Sequence, residues 1–102
     1  MRFRRGRFDD LVARQLDLFE REHGGLIRDV EAALRAYDRA DRDEAESRYG
    51  DFVDLVETGQ DELVDLRDAY AATLDDETAA AYREAFDGHV RRRLPRFGLE
   101  LD

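Results

Sequence analysis

The sequence predicts an all-α protein, and three observations carry that prediction. Val12, Leu16, Phe19, His23, Leu26, Val30, Ala33, Tyr37 and Ala40 follow one another at alternating steps of four and three residues. Ala45, Tyr49, Phe52, Val56, Gly59, Leu63, Leu66 and Tyr70 repeat the same rhythm. That spacing stacks side chains on one face of a helix. Third, the step from Ala40 to Ala45 is five residues, so the phase slips there, as it does at a turn. The expected architecture is a long antiparallel helical hairpin plus a shorter third helix, dimerising into a helical bundle.

The first helix is expected over about 8–40. Gly24 and Gly25 fall inside it without disturbing the phase. Two interior glycines cost roughly 1 kcal/mol each; the alternative is a break there with Gly24 as a C-cap, but a turn would usually reset the register, so a single helix is the simpler reading. The second helix is expected over about 42–73, because Asp41 followed by Glu44 has the form of an N-terminal capping box. Asp75, Asp76 and Glu77 then place negative charge where a helix N-terminus favours it. A third helix over about 76–94 presents Ala79, Tyr82, Phe86, His89 and Val90 on one face and stops at Pro95, the only proline. Residues 1–7 form a basic N-terminal arm. In residues 95–102, the alternation of Phe97, Leu99 and Leu101 suits an extended C-terminal tail.

Composition bounds the function. A chain of 102 residues is one domain with a modest core. Without cysteine there is no disulfide, thiolate metal site or cysteine nucleophile. The apolar runs are too short to span a membrane, and the basic start leads into no apolar signal core, so a cytoplasmic protein is the expectation. All seventeen basic residues are Arg. The net charge of −9 is uneven: +4 over residues 1–7, +2 over 91–102, and therefore −15 between them. Such an acidic body repels nucleic acid and anionic membranes.

A third helix of this length covers only the half of the hairpin away from its turn. The other half presents Val30, Leu34, Tyr37, Tyr49, Phe52, Val53 and Val56. Apolar surface of that extent is rarely left in water, and a second copy of the chain would cover it in a two-fold dimer. The main functional expectation is a small non-catalytic interaction or assembly protein. Ser47 is the only serine, and neither a Gly-rich phosphate loop nor a nucleophile elbow occurs.

Two alternatives follow from particular residues. Both histidines fall on apolar seams, where an unsatisfied ring is costly. Pairing about the turn sets His23 level with Leu63 and near Glu62, and counting along the third helix brings His89 near the same level. Glu20, His23, Glu62 and His89 then converge, a donor set suited to iron, manganese or zinc. Glu20-Arg-Glu-His23 resembles the Glu-x-x-His element of ferritin-like di-iron proteins. Encapsulated ferritins are similar in outline, and the resemblance implies a metal site completed by dimerisation. The simpler reading of each histidine is structural: a ring bonded to Glu20, Glu62 or a carbonyl, or closing a helix end.

The second alternative uses the basic ends. Arg2, Arg4, Arg5 and Arg7 interleave with Phe3 and Phe8, and Arg91, Arg92, Arg93 and Arg96 form a second group. This pattern resembles a nucleic-acid-binding arm, although the acidic body opposes it. The alternating tail, residues 95–102, also suits insertion into a partner's groove or sheet edge. It is similar in kind to the C-terminal peptides that recruit cargo to encapsulin shells. If it serves no partner, it folds back on its own protein.

Overall fold

The computed structural model describes residues 6–99. Among these the chain is all-helical: α1 (Asp9–Glu22), α2 (Gly24–Arg39), α3 (Arg42–Ala71), α4 (Asp76–Arg93) and a 3-10 turn at Pro95–Phe97. The basic residues Arg2, Arg4 and Arg5 and the tail residue Leu101 lie outside the described range.

The first difference from the sequence reading is at His23. A single helix over 8–40 is not formed; α1 and α2 are separated by that one residue, which ends the first and begins the second. His23 leaves helical geometry, with φ −118° and ψ 27°. Its N–H still donates to the Phe19 carbonyl at 2.8 Å, and its carbonyl accepts from the Ile27 N–H at 3.0 Å. The hydrogen-bond ladder therefore passes through the bend, which explains why the apolar phase survives it. Gly24 and Gly25 weaken the helix immediately after the bend, and neither has a positive φ. Interruption without loss of phase is invisible to periodicity, because periodicity records only angular position.

Side chains cap the later helices. Asp41 accepts from the Glu44 N–H at 3.1 Å at the start of α3. Asp75 accepts from the Thr78 N–H at 2.8 Å and from its hydroxyl at 3.0 Å at the start of α4. Each bond satisfies one of the free donors of a first helical turn. The Thr78 N–H holds the Asp75 carboxyl below the usual carboxylate range.

The core lies where α1, α3, α4 and the 3-10 turn meet. Val12 and Leu16 of α1, Leu63 of α3, and Tyr82, Phe86 and Val90 of α4 are fully buried. α2 contributes Val30 alone to the fully buried set. α1 meets α4 through Phe8 and Gln15 with Tyr82, Asp9 with His89, and Asp17 and Glu20 with Arg93. α2 packs along α3, the two joined through Ala40 and Asp41, with the Tyr37 and Tyr49 rings 5.3 Å apart near the connection.

The second difference is the tail. Pro95–Phe97 is not extended but makes a 3-10 turn, and Phe97 and Leu99 are buried. The Phe97 ring lies over Gly59 so closely that a Cβ there would fall 2.3 Å from it. It also meets Phe19 edge-on at 6.3 Å. Gln60 donates to the Gly98 carbonyl at 3.2 Å, and Arg96 pairs with Glu31 at 3.1 Å. Proline starts the turn because its fixed φ suits a first helical position. Burial of two large side chains, which alternation alone does not anticipate, outweighs the extended preference.

Candidate functional site

The four residues expected to converge are given different partners. Glu20 on α1 accepts from Arg93 Nη2 at 2.6 Å and Nε at 3.3 Å. The same guanidinium binds Asp17 and the Ala13 carbonyl. Its bonds to Glu20 and Asp17 raise the Arg93 pKa above its ordinary value against the opposing effect of burial. Glu20 is thus held by an arginine from α4 rather than standing free beside His23.

His23 sits at the bend with its ring 4.8 Å from that of Phe19. Its Nε2 is 3.9 Å from Glu62 Oε2, near but beyond hydrogen-bonding distance. His89 is elsewhere: its Nε2 lies 2.8 Å from Asp9 Oδ1, at the start of α1. The level count sets His89 beside His23, whereas in the structure it is Arg93, four residues further on, that meets Asp17 and Glu20. Register counted from helix starts assumes helices lying side by side at one constant offset, which the pairs Gln15–Tyr82, Asp9–His89 and Glu20–Arg93 do not follow. Among the described residues no group of three His, Asp or Glu side chains gathers as a metal ion would require. Within the protomer, Glu20, His23, Glu62 and His89 are not brought together: Glu20 goes to Arg93, His89 to Asp9, and only His23 and Glu62 lie near one another.

What His23 and Glu62 do form is one end of a cleft between α1 and α3. The cleft holds about 280 Å3 and is lined by Gln15, Leu18, Phe19, Glu22, His23, Glu62, Asp65 and Leu66. Leu18 is 49% exposed, unusual for a leucine in this protein. Glu22, Glu62 and Asp65 place three carboxylates around an apolar floor. Gln15 Oε1 accepts a hydrogen bond from the Tyr82 hydroxyl at 2.8 Å. Burial pushes the Tyr82 phenol up to about 12.

A polar network lies between α3 and α4. Asp87 is 2% exposed and accepts two bonds from Arg67 Nη1, at 2.9 and 3.2 Å. Arg67 Nε also donates to Asp68 at 2.9 Å, and Arg83 donates to the same carboxylate oxygen at 3.2 Å. Burial works against the Arg67 charge, but the bonds to Asp68 and Asp87 outweigh it and raise its pKa. The Arg67 guanidinium, with help from Arg83, holds Asp68 below the usual carboxylate range. The available signal was position: Asp87 follows Phe86 on the buried face of α4 and stands four residues after Arg83.

The third feature is at the Ala40–Asp41 end of α2 and α3. Tyr49 is 51% exposed and Tyr37 37%. Tyr49 links Tyr37 to Phe52, whose ring is 6.2 Å away. Phe52, Val53 and Val56 are only partly buried. Beside them Ala32, Ala33, Ala36 and Leu55 line an open hollow rimmed by Arg48, Asp51 and Asp54.

No described helix is long and apolar enough to cross a membrane. Scans of protein-family models, curated proteins and solved structures returned no significant match to this chain.

Proposed function

We propose that this protein is a small non-catalytic assembly module: an antiparallel hairpin of α2 and α3 whose turn end pairs with a second copy of itself. The observation that carries the reading is the exposed pair Tyr37 and Tyr49, which continues the apolar seam outward from the half-buried Phe52. Tyrosines suit such a face because the ring buries apolar area while the hydroxyl stays wet. The small side chains of Ala32, Ala33 and Ala36 permit close approach of a neighbouring helix. Two hairpins related by a two-fold axis would form a four-helix bundle at the centre of the dimer. The same surface would serve an assembly in which the acidic body remains exposed.

Sedimentation velocity tests it. The wild-type chain is expected to be a dimer at micromolar concentration. Tyr37→Glu with Tyr49→Glu, both at exposed positions, is expected to give a monomer of unchanged helicity. A wild-type chain that stays monomeric across the micromolar range refutes the reading.

A further inference from the structure

We infer that the hollow between α2 and α3 is closed by the same hollow of a second copy, with Arg48 of each copy paired to Asp51 and Asp54 of the other. This rests on the turn end being a contact between copies, and it names the ion pairs that fix the register of that contact. The hollow holds about 520 Å3 over a floor of Ala32, Ala33, Ala36 and Leu55. Arg48, Asp51 and Asp54 make its rim, and all three are exposed. Among the described residues Asp51 and Asp54 have no ion-pair partner, and Arg48 has only Glu44, at 3.6 Å on its own helix.

A rim that carries both signs selects its occupant. The cleft between α1 and α3 is rimmed by carboxylates, and beside the 3-10 turn Glu31 and Arg96 already pair with each other. A wholly basic segment would meet Arg48, and a wholly acidic one would meet Asp51 and Asp54. Residues 1–5 bring three arginines and no acid, and residues 100–102 bring Glu100 and Asp102 and no base. Neither is well placed. Arg7 acts on the charge of Asp75, past the end of α3 at Ala71. Asp51 stands twenty residues before Ala71, about 30 Å of helix, whereas five extended residues and an arginine side chain span at most about 25 Å. The tail is held on another side of α3: Gln60, which binds the Gly98 carbonyl, is turned about 140° from Leu55 around the helix. A second copy of the rim offers both signs in matching places.

Two-fold symmetry supplies the register. In such a contact, if one residue meets a second, the second meets the first. Arg48 and Asp51 are three residues apart and neighbours on one helix face. Two α3 helices crossing antiparallel, with the axis midway between these residues, set each Arg48 against Asp51 of the other copy. The pair forms twice and no like charges are opposed. Asp54, one turn beyond Asp51, is a second acceptor for the same guanidinium. The alanines of α2 let the helices approach closely enough for this.

The test is a charge exchange in the full-length chain. One variant carries Arg48→Glu, and another carries Asp51→Arg with Asp54→Arg. These are exposed helix positions that Glu and Arg suit, and circular dichroism confirms that each variant folds. In sedimentation velocity the wild-type chain is expected as a dimer. Each variant alone should dimerise at least about tenfold more weakly, because the pairs become like-charge contacts. An equimolar mixture should regain dimerisation as a one-to-one heterodimer, which native mass spectrometry recognises by mass. Recovery on mixing requires two chains, so a chain's own ends cannot produce it. The inference is overturned if either variant dimerises as tightly as wild type, or if the mixture associates no better than its components. Failure of the turn-end reading shows separately: a monomeric wild type refutes both, whereas a dimer lost in the Tyr37→Glu, Tyr49→Glu chain but intact in the charge variants refutes this inference alone.

Discussion

The two ends of the molecule carry the same apolar rhythm and treat it differently. At the α1–α4 end the seam residues Val12, Leu16, Leu63, Tyr82 and Phe86 are fully buried. At the Ala40–Asp41 end the seam continues through Tyr37 and Tyr49, and both are exposed. The difference lies in how many helices meet. A third and fourth layer close over one end, whereas α2 and α3 alone make up the other. Apolar spacing identifies the face that can be buried; the number of neighbours sets how much water it loses, and so how much it stabilises.

Truncation on each side would sharpen this contrast most. Phe86→Ala should cost about 3–5 kcal/mol of unfolding free energy. Tyr49→Ala should change the stability of the isolated protomer by no more than about 0.5 kcal/mol. Urea unfolding of both, at concentrations below any association, measures the gap. Equal losses would mean that the two ends are packed alike.

A somewhat smaller effect is expected at the buried pair. Asp87→Asn leaves Arg67 without its buried countercharge and should cost about 2–4 kcal/mol, as removing one partner of such a pair does. Replacing both, with Arg67→Met and Asp87→Leu, should recover most of that loss if the pair serves to fix how α3 meets α4 rather than to add stability. Chemical denaturation of the single and double variants separates these contributions.

The smallest effect is a pH dependence. The folded Tyr82 phenol is raised from its ordinary value of 10.0 to about 12. A raised pKa favours the protonated form in the fold, so this contribution is fully present below pH 10 and is lost as pH rises through about 12. Two units of difference correspond to about 2–3 kcal/mol at most. Tyr82→Phe should lower stability at pH 7 by about 1 kcal/mol through loss of the bond to Gln15, while weakening the decline between pH 10 and 12. Thermal melts across that range check it. At the other extreme, the lowered Asp68 carboxyl adds stability that is present above pH 3.8 and lost as pH falls through its folded value.

The all-helical class was legible in the sequence because amphipathic period is a local property. So were the caps: Asp41 before Glu44 and Asp75 before Thr78 bring their partners three residues away, within a single turn. The interruption at His23 was legible only as an alternative suggested by Gly24 and Gly25, since it preserves both hydrogen bonding and phase. The candidate site was legible only in its short-range part. His23 and Glu62 were matched by counting about one connection and lie near one another. His89 was placed by counting across a further connection and lies against Asp9 instead.

The sequence by itself determined which residues form helices, where two of them are capped, and which face of each is apolar. These depend on interactions a few residues long. The tertiary structure decided which carboxylate meets which arginine, that Asp87 is buried, that Phe97 rests on Gly59, and that one end of the seam is covered while the other is open. Those outcomes depend on how far one helix slides along another. A displacement of one turn keeps the apolar stripes in contact but exchanges nearly every polar partner.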